Sequence, residues 1–239
     1  IAVAMALAVL DSSDLPHPPI EAVFTVDEEI GMDGAVGLDA SPLQGRRLLN
    51  IDSEEEGVLT VSCSGGVGVN MTLPLEFAPC AMQGFTVTLG GLIGGHSGVE
   101  IQKERGNSNI LMGRFLDLLA AEAPQLRLSS ITGGQKDNAI TREAVAELLI
   151  DSDQTEAVKA YAAKVQEGLR EEYEGSDAGI TIQITEGDVE TAMVLYPTSR
   201  EKVLFYLMEV PFGIQKMSGS IEGLVETSTN IGIVKLYED

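Results

Sequence analysis

Apolar and polar positions divide the chain into two stretches of different texture. Residues 1–10, IAVAMALAVL, are apolar throughout, which fits a buried helix; Asp11-Ser12-Ser13-Asp14 and Pro16 then stop it. Residues 21–26, 47–51 and 58–62 are short apolar runs. Runs of this length fit parallel strands covered on both faces. Between the first two, residues 31–45 are punctuated by glycine and leave room for a short helix.

After Ser64-Gly65-Gly66 the pattern changes. Residues 85–89 (FTVTL) alternate as a half-buried strand should, and residues 90–98 (GGLIGGHSG) read as a glycine-rich turn. Residues 109–123 place Ile110, Leu111, Phe115, Leu118 and Leu119 on one helical face, and Pro124 ends the helix. The clearest helix is 153–174, with Ala157, Val158, Tyr161, Val165 and Leu169 as its stripe and Gly175 as its stop. Residues 180–184 and 230–236 read as strands, and 199–210 as a helix stopped by Pro211. Residues 141–150 fit a helix by propensity and a strand by spacing. No repeat occurs at solenoid periods. The pattern predicts an α/β first part, about 1–66, and an α+β second part, about 67–239, in which strands are backed by two or three helices.

Composition narrows the function classes. Apolar residues make up 44% of the 239, enough for a core and against global disorder. Fifteen Lys and Arg against 37 Asp and Glu give a net charge of −22. Phosphate binding needs a basic face, so nucleic acid is excluded as a direct partner, and so is docking on an anionic membrane. Two cysteines, Cys63 and Cys80, exclude a disulfide scaffold and a cysteine-rich zinc module. They read as reduced, buried thiols of a cytoplasmic protein. The opening apolar run is too short to span a bilayer, and it lacks the basic flank and cleavage site of a signal peptide. A chain that starts at Ile1, inside an apolar run, is expected to be an internal piece of a longer protein.

Asp27-Glu28-Glu29 directly follows the run 21–26, and Asp52, with Ser53-Glu54-Glu55-Glu56 behind it, directly follows 47–51. The C-terminal ends of parallel strands share one edge, where ligands bind. Glu28, Glu29 and Asp52 are therefore candidates to converge. Clustered carboxylates repel, and a divalent cation removes that penalty. Carboxylates alone suit Mg²⁺, Ca²⁺ or Mn²⁺, whereas added histidines shift the preference to Zn²⁺. Neighbouring residues on extended backbone point different ways, so one glutamate can bind metal while the other serves as a general base. That combination suits metal-assisted hydrolysis. The alternative is a solvated acidic strand end, which is how Glu54, Glu55 and Glu56 read in either case.

His96, flanked by Gly94, Gly95, Ser97 and Gly98, sits on backbone that a ligand can approach closely; the alternative is a histidine bonded within its own turn. His17, between Pro16 and Pro18, reads as a linker residue. No Gly-Lys-Ser/Thr, dinucleotide fingerprint or Gly-x-Ser-x-Gly is present, so phosphate-loop and serine-hydrolase chemistries have no foothold.

Five blocks occur in order: Thr25-Val26-Asp27-Glu28-Glu29-Ile30-Gly31-Met32-Asp33-Gly34-Ala35, Asn50-Ile51-Asp52-Ser53-Glu54-Glu55-Glu56-Gly57, Gly94-Gly95-His96-Ser97-Gly98, Asn138-Ala139-Ile140-Thr141-Arg142-Glu143 and Val225-Glu226-Thr227-Ser228. Together they resemble the aminoacyl-histidine dipeptidases (Xaa-His dipeptidases), among the aminoacylase/carboxypeptidase-type zinc exopeptidases. The resemblance implies a two-zinc hydrolase with a catalytic α/β domain, partly represented by 1–66, and an inserted α+β lid, 67–239, that mediates homodimerisation. It implies Glu28 as general base, Glu29 as a ligand of one zinc and Asp52 of the other. It implies that His96 and Asn138 reach the substrate carbonyl or its oxyanion from the lid. The implied substrates are dipeptides with a free C-terminal carboxylate, often ending in histidine. Lys216 occupies a region where some relatives place an arginine for that carboxylate.

The resemblance also implies a His-x-Asp pair and a bridging Asp ahead of Ile1, and a ligand histidine beyond the last residue. On that reading the chain by itself binds zinc poorly and hydrolyses nothing. A zinc tripeptidase, an N-acyl amino acid deacylase and a non-catalytic acidic interaction module are the competing readings.

Overall fold

The computed structural model describes residues 1–28, 31–52 and 56–236. The chain divides into two units, Ile1–Val67 and Gly68–Asp239.

In the first unit, α1 (Ala2–Asp11) forms where the apolar run predicts it. Ser12 ends it: its Oγ accepts the N–H groups of Asp14 at 3.3 Å and Leu15 at 3.1 Å. The expected burial is not met, since no residue of α1 is buried. A single turn, α2 (Asp33–Val36), occupies the glycine-punctuated stretch. The three strands expected at 21–26, 47–51 and 58–62 do not form. Leu48, Leu49, Leu59 and Val61 are 86%, 89%, 90% and 94% exposed. A parallel strand exists only beside a hydrogen-bonded neighbour and beneath a covering layer, and the described residues of this unit supply neither. The apolar runs record a demand for burial that this unit does not meet. Its long-range order comes instead from polar contacts: the Glu21 carboxylate accepts from the Gln44 N–H at 3.0 Å and the Gly45 N–H at 2.6 Å.

The second unit runs β1 (Phe77–Gly90), β2 (Gly95–His96), α3 (Ser108–Glu122), β3 (Arg127–Gly133), β4 (Ala139–Ile140), β5 (Ala144–Ile150), α4 (Thr155–Glu172), β6 (Thr181–Leu195), α5 (Pro197–Glu209), β7 (Gly213–Met217), β8 (Val225–Thr229) and β9 (Val234–Lys235). Five strands form one antiparallel sheet in the order β6-β1-β5-β3-β9. Its register sets the core. Phe85, Val87 and Leu89 lie opposite Leu148, Ala146 and Ala144, and all six are buried against the helices. Thr86 and Thr88 alternate to the other face, as the period of two requires.

The ambiguous stretch 141–150 becomes β5, because pairing on both sides by β1 and β3 overrides the helix propensity of its Ala, Glu and Leu. The strand expected at 180–184 continues to Leu195, because β1 supplies partners along that whole length. The strand expected at 230–236 shrinks to β9, opposite Thr132 and Gly133.

On α3 the buried set is Leu111, Met112, Phe115, Leu116 and Leu119, while Leu118 of the expected stripe is 37% exposed. The helix packs on both the sheet and α5, so its buried arc is wide and rotated towards Met112 and Leu116. On α4, Val158, Ala162 and Leu169 are buried, Tyr161 and Val165 are half-buried and Ala157 is exposed. Gln166 and Arg170 of α4 bond the start of β6: the Ile182 N–H donates to Gln166 Oε1 at 2.7 Å, and Arg170 Nε donates to the Ile180 carbonyl at 2.7 Å. Among the described residues no helix is long and apolar enough to cross a membrane.

Candidate functional site

Two sequence-predicted residues of the second unit are brought together by a two-stranded ribbon. In β2 and β4, His96 lies opposite Ala139, and the Ser97 N–H donates to the Asn138 carbonyl at 2.9 Å. His96 is exposed, and its Nδ1 accepts from the Gly98 N–H at 3.0 Å and the Val99 N–H at 3.3 Å. A neutral imidazole that accepts at Nδ1 carries its proton on Nε2. One ring nitrogen of His96 is thus tied to its own turn, and the other makes no hydrogen bond among the described residues. Asn138 is also exposed; its backbone N–H donates to Asp137 Oδ1 at 2.8 Å, and its side-chain amide makes no hydrogen bond among the described residues. His96 Nε2 and the Asn138 side-chain amide thus have no hydrogen-bond partner among the described residues.

The turn that carries His96 is held by charge. The His96 N–H donates to Glu100 Oε2 at 2.9 Å, and the Glu100 N–H returns to the His96 carbonyl at 3.1 Å. Glu100 Oε1 pairs with Lys103 Nζ at 2.6 Å and Arg105 Nη1 at 3.3 Å. Arg105 Nη1 also donates to the Gly94 carbonyl. The Lys103 ammonium, and then the His96 N–H, hold the Glu100 carboxyl down at about 2. Gly95 holds φ +145°, a conformation that L side chains rarely adopt; a Cβ there would also stand 2.5 Å from Glu100 Oε2 and 2.7 Å from Arg105 Nη1, the movable ends of their side chains.

Asp177 fixes both ends of the same loop. It is buried, and its carboxylate accepts from the Ile93 N–H at 2.7 Å and the Gly106 N–H at 2.8 Å. The Asp177 N–H is itself anchored on the Tyr173 carbonyl at 2.7 Å, just past α4. The loop between β1 and α3 is thereby tied to the end of the longest helix.

The acidic residues of the first unit are placed differently. Glu28 is exposed and follows Asp27, whose φ of +60° is left-handed. Aspartate tolerates that conformation better than most residues. The Met32 N–H donates to the Asp27 carbonyl at 2.8 Å, and the Gly34 N–H to the Val26 carbonyl at 3.2 Å. Asp52 is exposed as well. Glu29 lies outside the described residues. Among the described residues no three His, Cys, Asp or Glu side chains gather closely enough to hold a metal ion. Zinc takes four ligands and favours nitrogen or sulfur among them, so two exposed carboxylates do not by themselves fit it. The strand ends on which Glu28, Glu29 and Asp52 were expected to meet are not formed as strands in this unit.

Comparison with known proteins places the chain. Residues 87–177, from the middle of β1 to Asp177, match the family described as "Peptidase dimerisation domain". The cytosol non-specific dipeptidase of Escherichia coli (strain K12) is 38% identical over 241 residues, covering 100% of this chain and 49% of that protein. The crystal structure of the aminoacylhistidine dipeptidase from Vibrio alginolyticus superposes with a TM-score of 0.69 at 34% identity, over 99% of this chain and 48% of that one. The chain is similar to these two dipeptidases along its whole length. It spans about half the length of the relatives it matches. The mixed α/β class and the dimerisation (lid) domain expected from the sequence are borne out by these matches.

Several predicted residues have local explanations in the structure. Lys216, on the hairpin of β7 and β8, pairs with Glu226 Oε1 at 2.5 Å. His17 Nδ1 stands 2.8 Å from the Pro18 carbonyl, an exposed local contact of the kind a linker makes. Cys63 is exposed rather than buried, because residues 58–67 find no covering layer; Cys80 is half-buried, and both are free. Sequence reasoning missed Glu100, Arg105 and Asp177. The available signal was the cluster Glu100-x-x-Lys103-x-Arg105 immediately after the glycine-flanked histidine. Asp177, in Ser176-Asp177-Ala178-Gly179, resembles an ordinary turn residue and gives no such signal.

Proposed function

We propose that the full-length protein is a zinc-dependent dipeptidase that acts on Xaa-His dipeptides and works in the cytoplasm as a homodimer joined through the lid. The observation that carries this reading is the short ribbon that brings the segment of His96 against the segment of Asn138, with His96 opposite Ala139 and its Nδ1 already committed to its own turn. His96 Nε2–H and the Asn138 amide then donate to the scissile carbonyl and to the oxyanion that forms from it. Donors already in place need no reorganisation as charge develops, and each is typically worth about 3 kcal/mol.

Glu28 takes the proton from the attacking water and passes it to the leaving amine. Glu29 and Asp52 would each supply a carboxylate to one of the two zinc ions that the resemblance implies. Zinc, when bound, supplies an activated water and polarises the carbonyl. Homodimerisation is supported by the family description over 87–177 and by β6, a long strand whose outer edge ends the sheet.

One observation favours a broader substrate range: the curated relative is named a non-specific dipeptidase. Profiling the full-length enzyme with Xaa-His dipeptides, other dipeptides, tripeptides and N-acyl amino acids separates these activities. The chemistry is tested by Glu28→Ala, which abolishes turnover while metal content stays normal; near-normal turnover in that variant removes the mechanism.

A further inference from the structure

Asn230 follows β8 and is half-buried. Its Nδ2 donates to the Ala139 carbonyl at 2.8 Å and to the Asp137 carbonyl at 3.3 Å. These are the carbonyls on either side of Asn138. Its Oδ1 accepts from Asn107 Nδ2 at 3.1 Å. Asn107 is buried and caps α3, accepting at Oδ1 from the Asn109 N–H at 2.9 Å and the Ile110 N–H at 3.4 Å. It also accepts from Thr141 Oγ1 at 2.8 Å and donates to the Ile231 carbonyl at 3.0 Å.

The backbones are pressed together at the same place. A Cβ on Gly232 would stand 2.5 Å from the Asp137 carbonyl oxygen. A Cβ on Gly134, at φ +77°, would stand 1.8 Å from the Gly232 carbonyl oxygen. The segment 230–232 is therefore a rail laid directly along 134–139 and bolted to the cap of α3.

We propose that Asn230 is a positioning residue for Asn138: it fixes the backbone on both sides of Asn138 and so sets the direction of the Asn138 amide. This rests on the reading of Asn138 as a group that touches substrate. Asn138 has no hydrogen bond of its own to set its side chain among the described residues, so its aim is inherited from the backbone that Asn230 holds. A misplacement of about 1 Å in a catalytic constellation can lower turnover about 100-fold.

The test is a double-mutant cycle in the full-length, metal-loaded enzyme, with steady-state hydrolysis of a Xaa-His dipeptide. Asn230→Asp keeps an oxygen for Asn107 but removes the donor to both carbonyls. It lowers kcat by roughly 10- to 100-fold, with KM little changed. Asn138→Ala lowers kcat by about 100- to 1,000-fold. Adding Asn230→Asp to Asn138→Ala then has almost no further effect, because the residue it aims is gone.

Equal losses from Asn230→Asp in both backgrounds overturn the proposal, since a merely structural role does not depend on Asn138. So does an unchanged kcat in the single variant. Near-normal turnover in Asn138→Ala alone instead overturns the reading of Asn138 on which the proposal rests. Should Asn230→Asp not fold, Asn230→Ala is run through the same cycle with the same expected coupling.

Discussion

Removing the Asp177 carboxylate should loosen the loop that carries His96. Asp177 is 1% exposed, and no ion pair reaches it among the described residues. Its charge is stabilised by two backbone N–H groups, from Ile93 at 2.7 Å and Gly106 at 2.8 Å. A hydrogen bond to a charged group contributes about 1.5–3 kcal/mol, and a buried N–H left without a partner costs about 1–3 kcal/mol. Against this, Asp177→Ala also relieves the desolvation that the buried carboxylate carries. The net loss should be about 2–4 kcal/mol, which corresponds to a roughly 30- to 1,000-fold larger open population of the loop.

Amide hydrogen exchange of the full-length protein, read on peptides spanning 91–107, measures this directly. Asp177→Ala should raise exchange at Ile93 and Gly106 by that factor. Asp177→Asn, which keeps one acceptor oxygen but turns an NH₂ towards the second donor, should fall between the two. Unchanged protection at Ile93 and Gly106 in Asp177→Ala would show that the loop is held by something else.

Two further outcomes follow from the charges. Glu100 is held at about 2 instead of 4.5, chiefly by Lys103 and then by the His96 N–H. A depressed carboxylate stabilises the fold above its unfolded value, and that contribution is lost as pH falls from 4.5 through about 2. The His96 amide resonance should therefore titrate with a midpoint near 2, and a midpoint near 4.5 contradicts the anchoring described. Lys216 and Glu226 have side chains 63% and 45% exposed. Lys216→Ala should accordingly shift the urea midpoint by less than about 1 kcal/mol equivalent, and a larger loss would mean that the hairpin pair is more than a surface ion pair.

The second unit was legible because its signals are local. The alternation of Phe85, Val87 and Leu89 and the stripe of α4 each declare their period within a few residues. The stretch 141–150 was ambiguous because strand pairing, a long-range event, decides between two locally acceptable answers. The first unit misled for a related reason. Leu48, Leu49, Leu59 and Val61 ask for a covering layer, and no local pattern says whether one arrives.

The site divides in the same way. The glycines around His96 announce a close approach, and the structure crowds Gly95 against Glu100 and Arg105. That the segment of Asn138 pairs with the segment of His96 has no local signal, since the ribbon joins distant parts of the chain. Asp177 and Asn230 could not be read at all. Each works by bonding backbone groups far away in sequence, and nothing in composition or spacing marks such a partner.

The central claim is that the ribbon presents His96 Nε2–H to a reacting peptide. The most direct measurement is kcat for Xaa-His hydrolysis by full-length His96→Ala beside wild type, with bound metal quantified in both. The account predicts a loss of about 100- to 1,000-fold in kcat at unchanged metal content. Turnover within a few-fold of wild type at full metal loading would contradict it.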